Sequence, residues 1–142
     1  MGIKINRIGP RDFILPTDEA VIGGYEEYVK SYYDRSKLQL REDIAPTVFR
    51  IQPLTRTQEM TAAGFSDRVQ AEQIVRCCLT AVDNLTVVDE EGHERPAEPV
   101  KRETVGNFGL LVTDDWLDKH RLGDLVNDIA AAGWRITVPD PT

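Results

Sequence analysis

The stretch from residue 46 to residue 82 constrains the fold more than any other part of this 142-residue chain. Within it, apolar and polar side chains alternate over residues 47–52, with Phe49 and Ile51 on one face. Such alternation is typical of a strand that buries one of its faces. Pro53 follows and has no backbone N–H to donate to a sheet. We therefore expect the strand to end there or to lie at a sheet edge.

Two helices are predicted directly after this strand. Thr55 and Gln58 match a capping box, in which each residue satisfies a backbone N–H at the start of a helix. Gly64 suits the left-handed residue that often follows a helix. Ser66 suits the N-cap of the next helix.

The second of these helices is predicted to have one apolar face. Its apolar residues recur at helical spacing: Ala71, Ile74, Val75, Cys78 and Val82. The pattern favours a helix that packs on the core of its own domain. It also fits a helix that binds in the groove of a partner, and the sequence does not separate the two alternatives.

Composition and charge narrow the class of protein. An apolar fraction of 41% and a charged fraction of 29% are typical of a single globular domain. The net charge of −7 disfavours a nucleic-acid-binding surface, which needs a dense basic patch, and favours a basic partner. No apolar run is long enough to cross a bilayer, and the N-terminus lacks the apolar core of a signal peptide. Cys77 and Cys78 are adjacent, so we expect free thiols in a reducing compartment.

All four tyrosines of the chain lie between residues 25 and 33. Upstream of them, residues 3–8 alternate and predict a short strand. Tyr25, Tyr28 and Tyr32 fall on one face of a predicted helix. That face can either dock on the core or form a protein interface, where tyrosine is enriched. Both alternatives stay open, and we treat the three tyrosines as interface candidates.

The part of the chain after residue 82 is predicted to contain two short strands and a long helix. The strands are residues 85–88 and 100–105, with a turn at 89–92 and a loop at 93–99 between them. Thr113 is a good N-cap for a helix over residues 114–132. Gly123 is expected to interrupt this helix, and Gly133 to stop it as a C′ residue.

The residues after Gly133 alternate again and predict a terminal strand or arm. Its apolar side chains are Trp134, Ile136 and Val138. Such a strand can close the sheet of its own domain, or it can add to the sheet edge of a neighbour. These three residues are therefore further interface candidates.

No catalytic, cofactor-binding or metal-binding residue is predicted. His93 and His120 do not lie at ligand spacing from another His or Cys. We expect His120 to be a solvated residue on a helix. The acidic group around residues 89–91 does not match a calcium-binding loop, and no phosphate-binding glycine motif occurs. These observations favour a protein that is not an enzyme.

The segment FRIQPLTRTQE, followed by the helix, turn and helix described above, resembles small tailed-bacteriophage proteins of the tail-assembly type. The matching pieces are Arg50 to Thr55, Ala71 to Val82, Asp89 to Gly92 and Trp116 to Ala132. The chain departs from that pattern in two places. About 45 residues with the tyrosine cluster precede the similar region, and the arm WRITVPDPT follows it. Both additions suit a protein that is built into a particle.

The expected fold is α+β, with a small, mostly antiparallel sheet, about three helices and extended terminal arms. Residues 1–45 would form an N-terminal arm and a tyrosine-rich helix, and residues 46–142 the core domain. The resemblance implies a non-enzymatic structural or assembly protein of a phage virion, without a cofactor. Its partners would be capsid, connector or tail proteins, with no direct contact to nucleic acid or membrane, and copies of the chain can associate within the assembly.

The resemblance implies a location in the virion, or in the host cytoplasm during assembly. Two other hypotheses remain at this point. One is a soluble tail-assembly chaperone that does not stay in the virion. The other is a small ligand-binding domain or enzyme, which would need a pocket with converging polar groups.

Overall fold

A computed structural model describes residue 2, residues 7–64 and residues 67–139, with the side chain of Arg68 left aside. Its helices are α1 (Tyr25–Lys30), α2 (Arg56–Ala63), α3 (Asp67–Cys78), α4 (Asp114–Lys119) and α5 (Leu125–Thr137). Its strands are β1 (Arg11–Phe13), β2 (Val21–Gly23), β3 (Gln39–Leu40), β4 (Val48–Ile51), β5 (Leu79–Asp83), β6 (Thr86–Val88), β7 (Glu94–Pro96), β8 (Arg102–Thr104) and β9 (Leu110–Val112). The fold is α+β with small antiparallel sheets, as predicted. Most of the predicted strand at residues 3–8 lies outside the described residues. Ser66, the predicted N-cap, also lies outside them.

The central sheet has three antiparallel strands in the order β1-β4-β5. The strand predicted from residues 47–52 is its middle strand, so Phe49 pairs with Phe13 on one side and with Val82 on the other. Phe49 is fully buried. Because β1 comes from the first 45 residues, the sheet joins both halves of the predicted domain division. Residues 11–13 therefore belong to the central sheet and not to an arm outside it.

The start of α2 confirms the predicted capping box, because the Thr55 and Gln58 side chains each accept a hydrogen bond from the other's backbone N–H. The end of α2 differs from the prediction, since Gly64 has a φ of −84° and is right-handed. The next helix is also shorter than predicted. It ends at Cys78, and Val82 pairs in the central sheet. After the change from helix to strand, Leu79 is buried and Val82 is half-buried.

The last helix is interrupted as predicted, with α4 and α5 separated around Gly123, whose φ is +58°. However, Gly133 does not stop α5. It faces α3, where a Cβ at this position would lie 2.6 Å from Cys78 Sγ. The glycine therefore allows two helices to approach closely, and α5 continues to Thr137. The predicted terminal strand at Trp134, Ile136 and Val138 is wrong.

In the part of the chain that the structure describes, three two-stranded sheets accompany the central sheet: β2–β3, whose strands are separated by α1, and the hairpins β6–β7 and β8–β9. The predicted loop at residues 93–99 is wrong in part, because Glu94–Pro96 pairs with β6. Two prolines in that segment favoured a loop. Among the described strands, however, β7 pairs only with β6, and an edge strand tolerates proline. In the described ranges 7–64 and 67–139, no helix has the length and apolar character needed to span a membrane.

Candidate protein-binding surface

The tyrosine face predicted as an interface is largely used inside the domain. Tyr28 is fully buried. Its hydroxyl accepts a hydrogen bond from Ile14 N–H at 3.0 Å and donates to the carbonyl of Asp12. The Tyr25 hydroxyl donates to the Ile14 carbonyl at 2.8 Å. The phenols thus bind backbone groups beside the edge strand β1, where a further strand would otherwise pair. An exposed interface at Tyr28 is excluded.

Burial raises the pKa of the phenol groups of Tyr25 and Tyr28. It raises the pKa of Tyr25 to about 12, with smaller contributions from Tyr33 and Asp128. Burial also raises the pKa of Tyr28 well above the ordinary value for tyrosine, and the nearby Tyr25 contributes. Both hydroxyls therefore keep their protons near neutral pH and can act as donors.

Tyr32 is half-buried and follows α1 in a left-handed conformation, with a φ of +56°. Its carbonyl accepts a hydrogen bond from Arg11 Nε at 2.9 Å. The guanidinium of Arg135, from α5, lies 4.6 Å from the centre of its ring. A cation over an aromatic ring is attracted by the electron density of the face. Tyr32 thus connects the tyrosine cluster to the last helix.

The three C-terminal interface candidates are not brought together as a strand. Ile136 is buried in the core, and Trp134 is half-buried on α5. Val138 follows the helix and is 44% exposed. Helical spacing explains the burial, since Ile129, Ala132 and Ile136 share one face of α5. Alternation over so few residues fitted a strand equally well.

The β6–β7 hairpin is largely exposed to solvent. All three residues of β7 are exposed, and Val88 of β6 exposes 60% of its surface. The turn between the strands is held by one carboxylate. Asp89 Oδ1 accepts hydrogen bonds from the N–H groups of Glu91 at 2.9 Å and His93 at 2.8 Å. The hairpin therefore has a defined turn although it projects into solvent.

A cleft of about 500 Å³ separates this hairpin from the junction between α4 and α5. We call it the hairpin cleft. Its apolar lining includes Val87 and Leu122, and its charged lining includes Arg95, Arg121 and Asp118. A cleft with apolar walls and charges of both signs suits a polypeptide segment with mixed side chains.

Side chains of α4 fix the backbone that follows the hairpin. Trp116 Nε1 donates to the Glu98 carbonyl at 3.1 Å, and Glu98 N–H donates to His120 Nε2 at 2.9 Å. His120 Nδ1 lies 2.9 Å from the Trp116 carbonyl, which can only accept. The imidazole is therefore neutral, with its proton on Nδ1.

The prediction that His120 is solvated is wrong, because it is 3% exposed and its ring stacks on Trp116 with centroids 4.2 Å apart. The sequence contained one sign of this contact. His120 follows Trp116 by four residues, and residues i and i+4 share a helix face.

Both cysteines are buried and free. Burial raises the pKa of Cys77 to about 11, and it raises the pKa of Cys78 further. The thiols therefore remain protonated near neutral pH. Among the described residues, no group of three or more His, Cys, Asp and Glu side chains is arranged to hold a metal ion.

Comparisons with family models, with curated proteins and with solved structures found no match for this chain.

Proposed function

We propose that the chain is a structural or assembly protein of a tailed bacteriophage, which binds a capsid, connector or tail protein. The β6–β7 hairpin and the hairpin cleft would form the binding surface. The observation that supports this proposal is the hairpin itself, with its exposed strands and the exposed Val88. The resemblance of the sequence to small phage tail-assembly proteins supplies the class of partner.

The β6–β7 hairpin gains little stability from its own two strands. A two-stranded hairpin alone is at best marginally stable in water. Within the described residues, β6 and β7 pair only with each other. Each strand therefore has a free edge that can accept a strand from a partner. Pairing would satisfy these backbone groups and bury Val88, which stabilises both the hairpin and the complex.

Charge indicates the kind of partner surface. The hairpin carries four acidic residues, Asp89, Glu90, Glu91 and Glu94, and one arginine, Arg95. An acidic hairpin is attracted to a basic surface, and the attraction accelerates association more than it increases final affinity. We expect the partner to present basic residues around an exposed strand, and we expect association to slow as salt increases.

The test is incorporation into particles. Wild-type protein and a Val88→Asp variant would be supplied to phage lacking the endogenous copy, and purified particles would be quantified by mass spectrometry. We expect the wild-type protein at a fixed copy number and the variant at a strongly reduced level. Ile22→Asp is the matched control, because Ile22 is 65% exposed on β2, which belongs to a different two-stranded sheet. The control should be incorporated normally, and both variants should have an unchanged melting temperature.

Two results would contradict the proposal. If the protein occurs only in infected-cell lysate, bound to an unassembled partner, the chaperone hypothesis replaces the virion hypothesis. If Val88→Asp and Ile22→Asp are incorporated equally well, the β6–β7 hairpin is not the binding surface.

A further inference from the structure

A cavity smaller than the hairpin cleft lies between α2, α3 and the turn before β9. Its volume is about 240 Å³. The apolar walls come from Ala62, Cys77, Val105, Phe108 and Leu111. Ala62 and Cys77 are buried, and Val105 is 42% exposed at the rim. We call this the α2–α3 cavity.

Two side chains hold the walls of this cavity in place. Gln58 accepts a hydrogen bond from Thr55 N–H at 2.9 Å and donates to the Phe108 carbonyl at 2.6 Å, which ties α2 to the turn. Arg102 Nη2 donates to the carbonyls of Cys77 at 3.2 Å and Leu110 at 2.8 Å, which ties α3 to β9. The cavity is therefore formed before any ligand arrives, and ordering it costs little on binding.

The polar groups of the lining limit the charge of a ligand. Arg76 is already used, because its Nη2 lies 3.4 Å from Asp114 and its Nε donates to the Val112 carbonyl at 3.3 Å. The Cys77 thiol stays protonated because burial raises its pKa to about 11. A charged ligand would lose its hydration in this lining without gaining a free counter-charge.

One polar side chain remains available. The side-chain amide of Gln73, which is half-buried on α3, lines the cavity and makes no hydrogen bond with the residues that the structure describes. Its amide can donate to and accept from a ligand. A ligand would therefore gain most from apolar contact and one hydrogen bond.

We propose that the α2–α3 cavity binds a small, uncharged, mainly apolar molecule with one hydrogen-bonding group that contacts Gln73. The cavity is smaller than the pockets of about 300–1,000 Å³ that hold drug-sized ligands, so the ligand is of one or two rings. This inference is independent of the phage role and of the hairpin cleft.

The experiment uses indole and p-cresol as probes, with indole-3-acetate as the charged comparison. Each probe is titrated into the full chain, and binding is followed by NMR shifts of backbone amides. We expect shifts at Ala62, Gln73 and Leu111 with both neutral probes, and at least tenfold weaker binding of indole-3-acetate. Residues of the β6–β7 hairpin should not shift.

Variants locate the site. Val105→Trp fills the cavity from its exposed rim and should reduce indole affinity at least tenfold. Gln73→Leu removes the hydrogen-bonding group and should reduce it about three- to tenfold. Met60→Trp is the matched control, because Met60 is 66% exposed on the part of α2 that does not line the cavity, and it should bind indole like the wild-type protein. Melting temperatures check that each variant is folded.

Three results would overturn the proposal: no shift with either neutral probe up to its solubility limit, unchanged indole affinity in folded Val105→Trp, or indole-3-acetate binding as tightly as indole. A concentration-dependent dimer that Val105→Trp abolishes would also overturn it. In that case the cavity is filled by a second copy of the chain.

Discussion

Gly133 on α5 faces Cys78 at the end of α3 so closely that a Cβ on residue 133 would lie 2.6 Å from Cys78 Sγ and 3.1 Å from its Cβ. Cys78 is fully buried, so its sulfur has little room to move. The contact limits how closely α3 and α5 can pack. It also explains why a glycine lies inside a long helix, where it reduces helix stability.

Gly133→Ala should therefore destabilise the protein. The added methyl group overpacks the helix contact at a cost of about 1–3 kcal/mol, which exceeds the gain of about 1 kcal/mol in helix propensity. Urea denaturation measures the free energy of unfolding. Gly64→Ala is the control, because a Cβ there meets its nearest atom at an ordinary 3.5 Å. The loss should shrink in a Cys78→Ala background, and an equal loss in both backgrounds would show that the sulfur is not the obstacle.

Tyr28→Phe should destabilise the protein although the ring remains. The change leaves Ile14 N–H and the Asp12 carbonyl without the hydroxyl that binds them, at a cost of about 1–3 kcal/mol. Thermal and urea denaturation measure the effect. Tyr33→Phe is the matched control, since Tyr33 is also buried and packs its ring on Phe13 and Tyr28, while its hydroxyl makes no hydrogen bond with the described residues. Equal losses in the two variants would contradict the role assigned to the Tyr28 hydroxyl.

Stability should fall in alkaline solution. Tyr25 has a pKa of about 12 in the folded protein, and Cys77 about 11, against ordinary values of 10.0 and 9.0. The folded chain therefore holds these protons more tightly than the unfolded chain. Their contribution is complete below pH 9 and is lost as pH rises from about 9 to about 12.

Urea denaturation at a series of pH values from 8 to 12 checks this alkaline loss. The decline should be shallower in Tyr25→Phe and in Cys77→Ala, because each variant removes one of the shifted groups. A variant that declines as steeply as the wild-type protein would show that its group does not contribute.

His120→Phe should loosen the segment between the β6–β7 hairpin and β8. Phenylalanine keeps a ring beside Trp116 but leaves Glu98 N–H without an acceptor, at a cost of about 1–3 kcal/mol. Amide hydrogen exchange at Glu98 should accelerate more than exchange in the central sheet. His93→Phe is the control, because the side chain of His93 is 73% exposed and a change there should cost less than about 0.5 kcal/mol. Unchanged exchange at Glu98 in His120→Phe would contradict the assigned contact.

Sequence patterns predicted the elements that depend on neighbouring residues. The capping box of Thr55 and Gln58 acts within one turn, and it starts α2 where expected. The alternation around Phe49 predicted β4, and Thr113 accepts the N-cap hydrogen bond from Trp116 N–H as expected. Such signals work because the atoms involved are a few residues apart, whatever the rest of the chain does.

Sequence patterns gave wrong predictions where the same residues are compatible with two kinds of secondary structure. Trp134, Ile136 and Val138 alternate like a strand, but α5 buries Ile136 together with Ile129 on one helical face. Pro96 favoured a loop, yet it lies in an edge strand where its missing N–H costs nothing.

By itself, the sequence determined the α+β class, the central strand, the starts of α2 and α4 and the acidic character of the chain, because these follow from local periodicity, capping and charge. Tertiary structure alone decided the roles of Tyr28, Gly133 and His120. The Tyr28 hydroxyl binds backbone groups at a strand edge, Gly133 allows α3 to approach α5, and His120 accepts a hydrogen bond from Glu98 N–H. Each of these roles depends on a partner from a distant part of the chain. Ile14 and Tyr28 are 14 residues apart, and Cys78 and Gly133 are 55 residues apart. Contacts of that kind arise only when the whole core packs, so no local pattern specifies them.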